Sequence, residues 1–142
     1  MSVGQILKGK TGEIITVSSD QTIEDAVTFM VGHKIGAALV KDGADLTGIF
    51  TERDLMRLVA ANGAVGMAMT VGDVMTTRLM TCEPSDSVES IMEMMTEGRF
   101  RHVPVLDDGK LVGIVSIGDL VKARMSDVEH EAEALRGYIT AG

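Results

Sequence analysis

Two stretches of the chain carry one seven-residue pattern 65 residues apart: Gly48, Ile49, Phe50, Thr51, Glu52, Arg53, Asp54 and Gly113, Ile114, Val115, Ser116, Ile117, Gly118, Asp119. Both read glycine, apolar, any, hydroxyl, any, any, aspartate. The same offset pairs Ile23, Ala26, Val27 and Met30 with Val88, Ile91, Met92 and Met95, and Thr16 and Val17 with Thr81 and Cys82. An offset shared by strand, helix and loop signals marks duplication of a whole structural unit. Val3, Gly4, Gln5, Ile6, Leu7 also resembles Val71, Gly72, Asp73, Val74, Met75, at an offset of 68, which places three extra residues of the first copy around Lys10, Thr11 and Gly12. Half of a 142-residue chain buries too little surface for comfortable stability, so the copies are expected to pack together. The expected division is a first repeat over residues 1–62, a connection over 63–70, a second repeat over 71–125 and an acidic amphipathic helix over 126–142.

Within the first copy, the β-branched run Ile14, Ile15, Thr16, Val17 reads as a strand. Thr22 stands where an N-cap belongs, and Ile23, Ala26, Val27, Met30 and Val31 form one apolar stripe of a helix ending near Gly32 or His33. Ala37, Ala38, Leu39, Val40 and the run from Leu46 to Phe50 read as two strands joined at Asp42 and Gly43, and Asp54 opens a second helix. In the second copy, Thr81 and Cys82 give the first strand and Asp86 caps a helix over Val88 to Glu97. A hairpin follows around Asp107, Asp108 and Gly109, and Asp119 starts the last helix. Each copy is therefore strand, helix, strand, strand, helix, an α/β (α+β) organisation. Past Lys122, the positions Val128, Ala132, Leu135 and Ile139 keep helical spacing among acidic residues. This apolar edge either packs back on its own module or meets a second copy.

Aromatic residues make up 3% of the chain and Trp is absent, so the core is aliphatic, with eleven Met filling gaps. The lone Cys82 has no disulfide partner within the chain. Neither a membrane-length apolar run nor a signal-peptide pattern is present, and a soluble cytoplasmic protein is expected. A net charge of −8 disfavours nucleic-acid backbones as partners. Gly4, Gln5, Ile6, Leu7, Lys8, Gly9, Lys10, Thr11 matches the phosphate-loop pattern letter for letter. That loop requires a buried strand before it and a helix after it, whereas a strand signal follows here.

The duplicated motif has a stronger chemical case. Its hydroxyl, Thr51 or Ser116, can donate to a phosphate or hydroxyl oxygen, and its carboxylate, Asp54 or Asp119, suits paired hydroxyls such as those of a ribose. Helix-start amides favour anions. The plain alternative is that each Asp simply caps its helix.

These residues resemble a pair of cystathionine-β-synthase (CBS) domains, the tandem unit called a Bateman module, over about Val3 to Lys122. The resemblance implies two repeats related by a pseudo-twofold axis with their sheets packed together, and clefts for AMP, ADP, ATP, NAD(H) or S-adenosylmethionine. It assigns ribose contacts to Asp54 and Asp119, and ribose or phosphate contacts to Thr51 and Ser116. The base pockets are assigned to Gly36, Ala37, Ala38 and to Arg101, His102, Val103, Pro104. Thr16, Val17, Thr81 and Cys82 complete the clefts. It further implies a flat homodimer in which Arg53 reaches phosphates. The first pocket departs from the pattern, since Leu39 stands where the second copy has Pro104. Arg99, Arg101 and His102 cluster in an otherwise acidic chain and favour the second half for phosphate contact.

The expected function is an adenine-nucleotide-binding regulatory module with no catalytic cofactor, no metal and no enzyme activity. Cys82 has no evident base among the scattered His33, His102 and His130. Two alternatives are an interaction module with degenerate clefts, and a regulatory subunit acting on a separate protein target.

Overall fold

A computed structural model describes residues 1–10 and 13–141. In chain order its elements are α1 (Val3–Gly9), β1 (Thr16–Val17), α2 (Ile23–His33), β2 (Ala37–Asp42), β3 (Asp45–Thr51), α3 (Glu52–Asn62), a 3-10 helix (Gly63–Ala68), α4 (Val71–Val74), α5 (Val88–Gly98), β4 (His102–Asp107), β5 (Lys110–Ser116) and α6 (Ile117–Ala141). The described residues divide into two compact units, one of residues 13–79 and one of residues 1–10 with 80–141.

In the first unit β1 runs parallel to β2, and β2 pairs antiparallel with β3 around a turn where Gly43 takes φ 63°. The Thr22 hydroxyl accepts the Asp25 N–H at 3.2 Å and caps α2, whose Ile23, Ala26 and Met30 are buried as their spacing predicts. They meet Val17, Ala38, Val40, Phe50, Leu58 and Val71 in an aliphatic core. β1 is shorter than expected, because Ile14 is exposed and Ile15 lies outside the parallel ladder. Residues 63–70 pack within this unit. The 3-10 helix packs on α2 and α3, and a Cβ at Gly66 would lie 2.8 Å from Leu58 Cγ.

The other unit repeats the plan, with three departures from what its sequence leads one to expect. Thr81 and Cys82 form no strand: Cys82 makes a single parallel bridge to Val105, and Pro84, which lacks an N–H, follows too soon for a longer ladder. Ser87 caps α5, accepting the Ser90 N–H at 3.1 Å, whereas Asp86 accepts the Glu83 N–H at 2.8 Å in the preceding turn. Asp119 likewise does not begin the last helix, which starts at Ile117, and no separate helix starts at 126. α6 is continuous over 25 residues, because Asp119 to Arg136 contains neither Gly nor Pro and is rich in strong helix formers.

The opening helix of each repeat packs in the core built by the other. Val3 of α1 is fully buried with Val88, Ile91, Val103 and Leu120, while Val71 of α4 is fully buried among Val17, Ile23 and Phe50. The docking bonds match pairwise: Val3 N–H donates to the Asp86 carbonyl at 2.9 Å and Val71 N–H to the Gln21 carbonyl at 2.8 Å. Gly4 N–H donates to Pro84 at 2.9 Å and Gly72 N–H to Ser19 at 2.8 Å. The change of offset from 68 to 65 falls in the loop that follows the opening helix, which is three residues longer in the first copy. The fold disposes of the phosphate-loop match. Gly4 to Gly9 lie in α1, β1 follows that helix, and Thr11 falls outside the described residues.

Candidate functional site

The motif glycine is explained by the exchanged segment. At Gly48 a Cβ would lie 2.7 Å from Met75 Sδ and 2.9 Å from the Thr76 carbonyl oxygen, which accepts the Ile49 N–H at 2.9 Å. At Gly113 it would lie 2.6 Å from Leu7 Cδ2. Each strand therefore admits its visitor only where no side chain stands.

The hydroxyl and the aspartate form a reciprocal cap. Thr51 Oγ1 accepts the Asp54 N–H at 3.2 Å, while Asp54 Oδ2 accepts the Thr51 N–H at 3.0 Å and the Thr51 hydroxyl at 3.1 Å. Ser116 and Asp119 repeat this at 3.2 and 2.9 Å. Thus the hydroxyl residue is the N-cap, and Asp54 is the third residue of α3 rather than its opening residue.

The two motifs differ in what else their carboxylates meet. Asp54 is 7% exposed, and its Oδ1 accepts the Thr76 hydroxyl at 3.2 Å. Asp119 keeps 26% of its side chain exposed, and its Oδ2 accepts Lys10 Nζ at 2.9 Å, the same ammonium donating to the Ile114 carbonyl at 2.9 Å. Burial pushes the Asp119 carboxyl up, but the Ser116 N–H and the Lys10 ammonium outweigh it and hold the group below its ordinary value. Thr76 and Lys10 were not among the sequence candidates. Both follow the exchanged helices, and their approach to the aspartates is set by the fold rather than by local sequence.

A depressed carboxyl stabilises the fold above its ordinary pKa, and that contribution is lost as pH falls through the folded value. Lys10→Met removes the ion pair and is expected to cost up to about 1 kcal/mol near neutrality. The difference between parent and variant, measured by urea unfolding near neutrality and well below the ordinary carboxyl pKa, should shrink at the lower pH as Asp119 is protonated. An equal difference at both pH values would contradict the role of this pair.

Side chains alternate across the sheets and sort the remaining candidates. Thr16 pairs with Leu39, Ala37 with Thr51, His102 with Ser116 and Pro104 with Ile114, so in each unit these positions share the sheet face of the motif hydroxyl. Val17 and Ala38, and in the other unit Val103 and Cys82, point into the cores. Burial, with the Asp86 charge nearby, pushes the Cys82 thiol up to about 11, which removes it as a nucleophile near neutrality. Gly36 precedes β2, and a Cβ there would overlap the Glu52 carboxylate. Arg101 is exposed just before β4, Arg53 is exposed in the first turn of α3, and Thr81 is exposed beside Cys82. Among the described residues, no group of three or more His, Cys, Asp or Glu could hold a metal ion, and no helix is long and apolar enough to cross a membrane.

The family model of the CBS domain matches twice, over residues 3–61 and 71–126. The mitochondrial CBS domain-containing protein CBSX3 of Arabidopsis thaliana is 39% identical over 142 residues, covering 95% of this chain and 69% of the relative. A solved CBS-domain containing protein from Agrobacterium tumefaciens superposes with a TM-score of 0.85 at 44% identity, covering 87% of this chain and 99% of the other. Two further structures hold ligands. CBSX2, solved in complex with AMP, matches at 28% identity and a TM-score of 0.73, over 88% of this chain and 96% of the other. The CBS domain pair of protein MJ0100, in complex with 5-methylthioadenosine and S-adenosyl-L-methionine, matches at 26% identity and 0.78, over 89% and 98%.

Proposed function

Because this chain belongs to the CBS-domain family and carries two copies of the domain, we propose that it is a regulatory module that binds an adenosine-containing ligand and changes conformation or partner affinity in response. The ligand class comprises AMP, ADP, ATP and NAD(H), and the module works as a homodimer. The observation that carries this reading is the second motif. Asp119 is held at the start of a helix by Ser116, stays partly exposed, and is a multiple acceptor suited to ribose hydroxyls. Asp54, more buried and already bound to Thr76, supports a weaker first site. Ser116, Arg101, His102 and Pro104 are the contacts proposed around Asp119, with Thr81 beside them. Thr51, Arg53, Thr16, Gly36 and Ala37 are their counterparts around Asp54, and Val17, Ala38 and Val103 back the two sites from the cores.

The test is a thermal-unfolding series with AMP, ADP, ATP, NAD, NADH and S-adenosylmethionine. A ligand at 100 times its dissociation constant adds about 2.7 kcal/mol to the folded state, a shift of several degrees. At least one nucleotide is expected to stabilise the parent in this way. No shift with any of the six, in protein stripped of bound nucleotide, would leave the interaction-module reading in its place.

A further inference from the structure

α6 carries a second apolar stripe besides the one it buries. Leu120 and Ala123 face the core of its own unit. On another side of the helix, Gly118, Val121, Met125, Val128, Ala132, Leu135 and Ile139 follow at alternating steps of three and four, the spacing of a coiled-coil seam. The large members of this seam are 42% to 75% exposed, and an open hollow of about 550 Å³ runs beside Gly118, Val121 and Met125. The family match ends at residue 126, so the seam continues past the shared domain.

We propose that this seam is covered by α6 of a second copy of the chain, running antiparallel about a twofold axis. The proposal builds on the homodimer stated above and is independent of nucleotide binding. Antiparallel layering sets Gly118 against Leu135 of the partner subunit, Val121 against the partner's Ala132, and Met125 against the partner's Val128. Each layer thereby joins a smaller residue to a larger one. A parallel pairing would instead set Gly118 on the partner's Gly118 and Ala132 on the partner's Ala132, leaving two underfilled layers. The flanking charges agree with the antiparallel register. Lys122 faces the partner's Glu129 and Arg124 faces the partner's Glu131, and twofold symmetry makes each pair twice. Arg124 already holds Glu89 at 3.1 Å on the surface of its own unit, so its guanidinium sits at the rim, and the packing of small against large residues, not the charges, sets the orientation.

Sedimentation of the full chain at micromolar concentration tests the contact. The parent should sediment as a dimer, and Val128→Glu with Leu135→Glu should sediment as a monomer. The thermal unfolding of that variant should still show folded units, because both positions are exposed. Lys122→Glu should weaken the dimer about tenfold through two repulsive pairs, and adding Glu129→Lys should restore it. Orientation is read by oxidation: Val121→Cys with Ala132→Cys should give a cross-linked dimer, whereas Val121→Cys alone should not. In the antiparallel pair the two Val121 positions lie roughly 16 Å apart along the axis. The buried Cys82 does not compete. A monomeric parent would overturn both the dimer and the seam. A dimer indifferent to Val128→Glu with Leu135→Glu would overturn the seam alone, and cross-linking through Val121→Cys alone would overturn the antiparallel register.

Discussion

Phe50→Ala is expected to destabilise the unit of residues 13–79 by about 4 kcal/mol. Phe50 is a fully buried aromatic side chain, enclosed by α2, β2 and Val71 of the exchanged helix α4. Truncation removes its transfer free energy and leaves a cavity that closes only in part, because the neighbours belong to a hairpin and two helices already fixed by their own ladders and caps. A loss of this size is a large share of a domain's net stability. Urea unfolding with hydrogen exchange on the amides of α2 measures it. The α2 amides should lose protection by roughly three powers of ten, and a loss below about 1 kcal/mol would show that Phe50 is not a central support of this core.

Gly48→Val is expected to cost about 3 kcal/mol, and more than Gly113→Val. The two positions are equivalent in the repeat, but the obstacles differ. At Gly48 the nearest atoms include the Thr76 carbonyl oxygen, a backbone atom engaged with Ile49, so relief requires displacing the exchanged segment. At Gly113 the nearest atoms all belong to the side chain of Leu7, which can turn away. Thermal unfolding of the two variants should rank them in that order. Equal small losses would contradict the close approach of Thr76 to β3. Because Thr76 also donates to Asp54, Gly48→Val should disturb the first motif, whereas Gly113→Val leaves Asp119 on Lys10.

The fold was legible where periodicity and capping agree. The stripe Ile23, Ala26, Met30 and its copy Val88, Ile91, Met95 are the buried faces of α2 and α5, and both hairpins turn where Gly43 and Gly109 supply positive φ. Misreadings fell on residues whose role is set by distant partners. Asp86 has the chemistry of a cap, yet Ser87 is one residue nearer the helix start and takes that role. The stretch 63–70 has the composition of a linker and also packs: Met67 and Met69 lie on the core and Gly66 makes room for Leu58. The exchange of α1 and α4 is a long-range event that local pattern does not encode. Its trace in the sequence was the glycines at 4, 72, 48 and 113, where backbones or side chains of the other repeat approach. The motif chemistry was legible as a hydroxyl and a carboxylate three residues apart. The reciprocal cap they form, and the different third partners Thr76 and Lys10, required the folded chain.

The most direct measurement is calorimetric titration of AMP into nucleotide-stripped parent protein, Asp54→Ala and Asp119→Ala, each variant first verified as folded. The account predicts saturable binding to the parent and its loss, by at least about tenfold in Kd, in Asp119→Ala, with a smaller change in Asp54→Ala. Undiminished binding by both variants, or no binding of AMP to the parent, would contradict the assignment of the duplicated aspartate motif to the adenosine ligand.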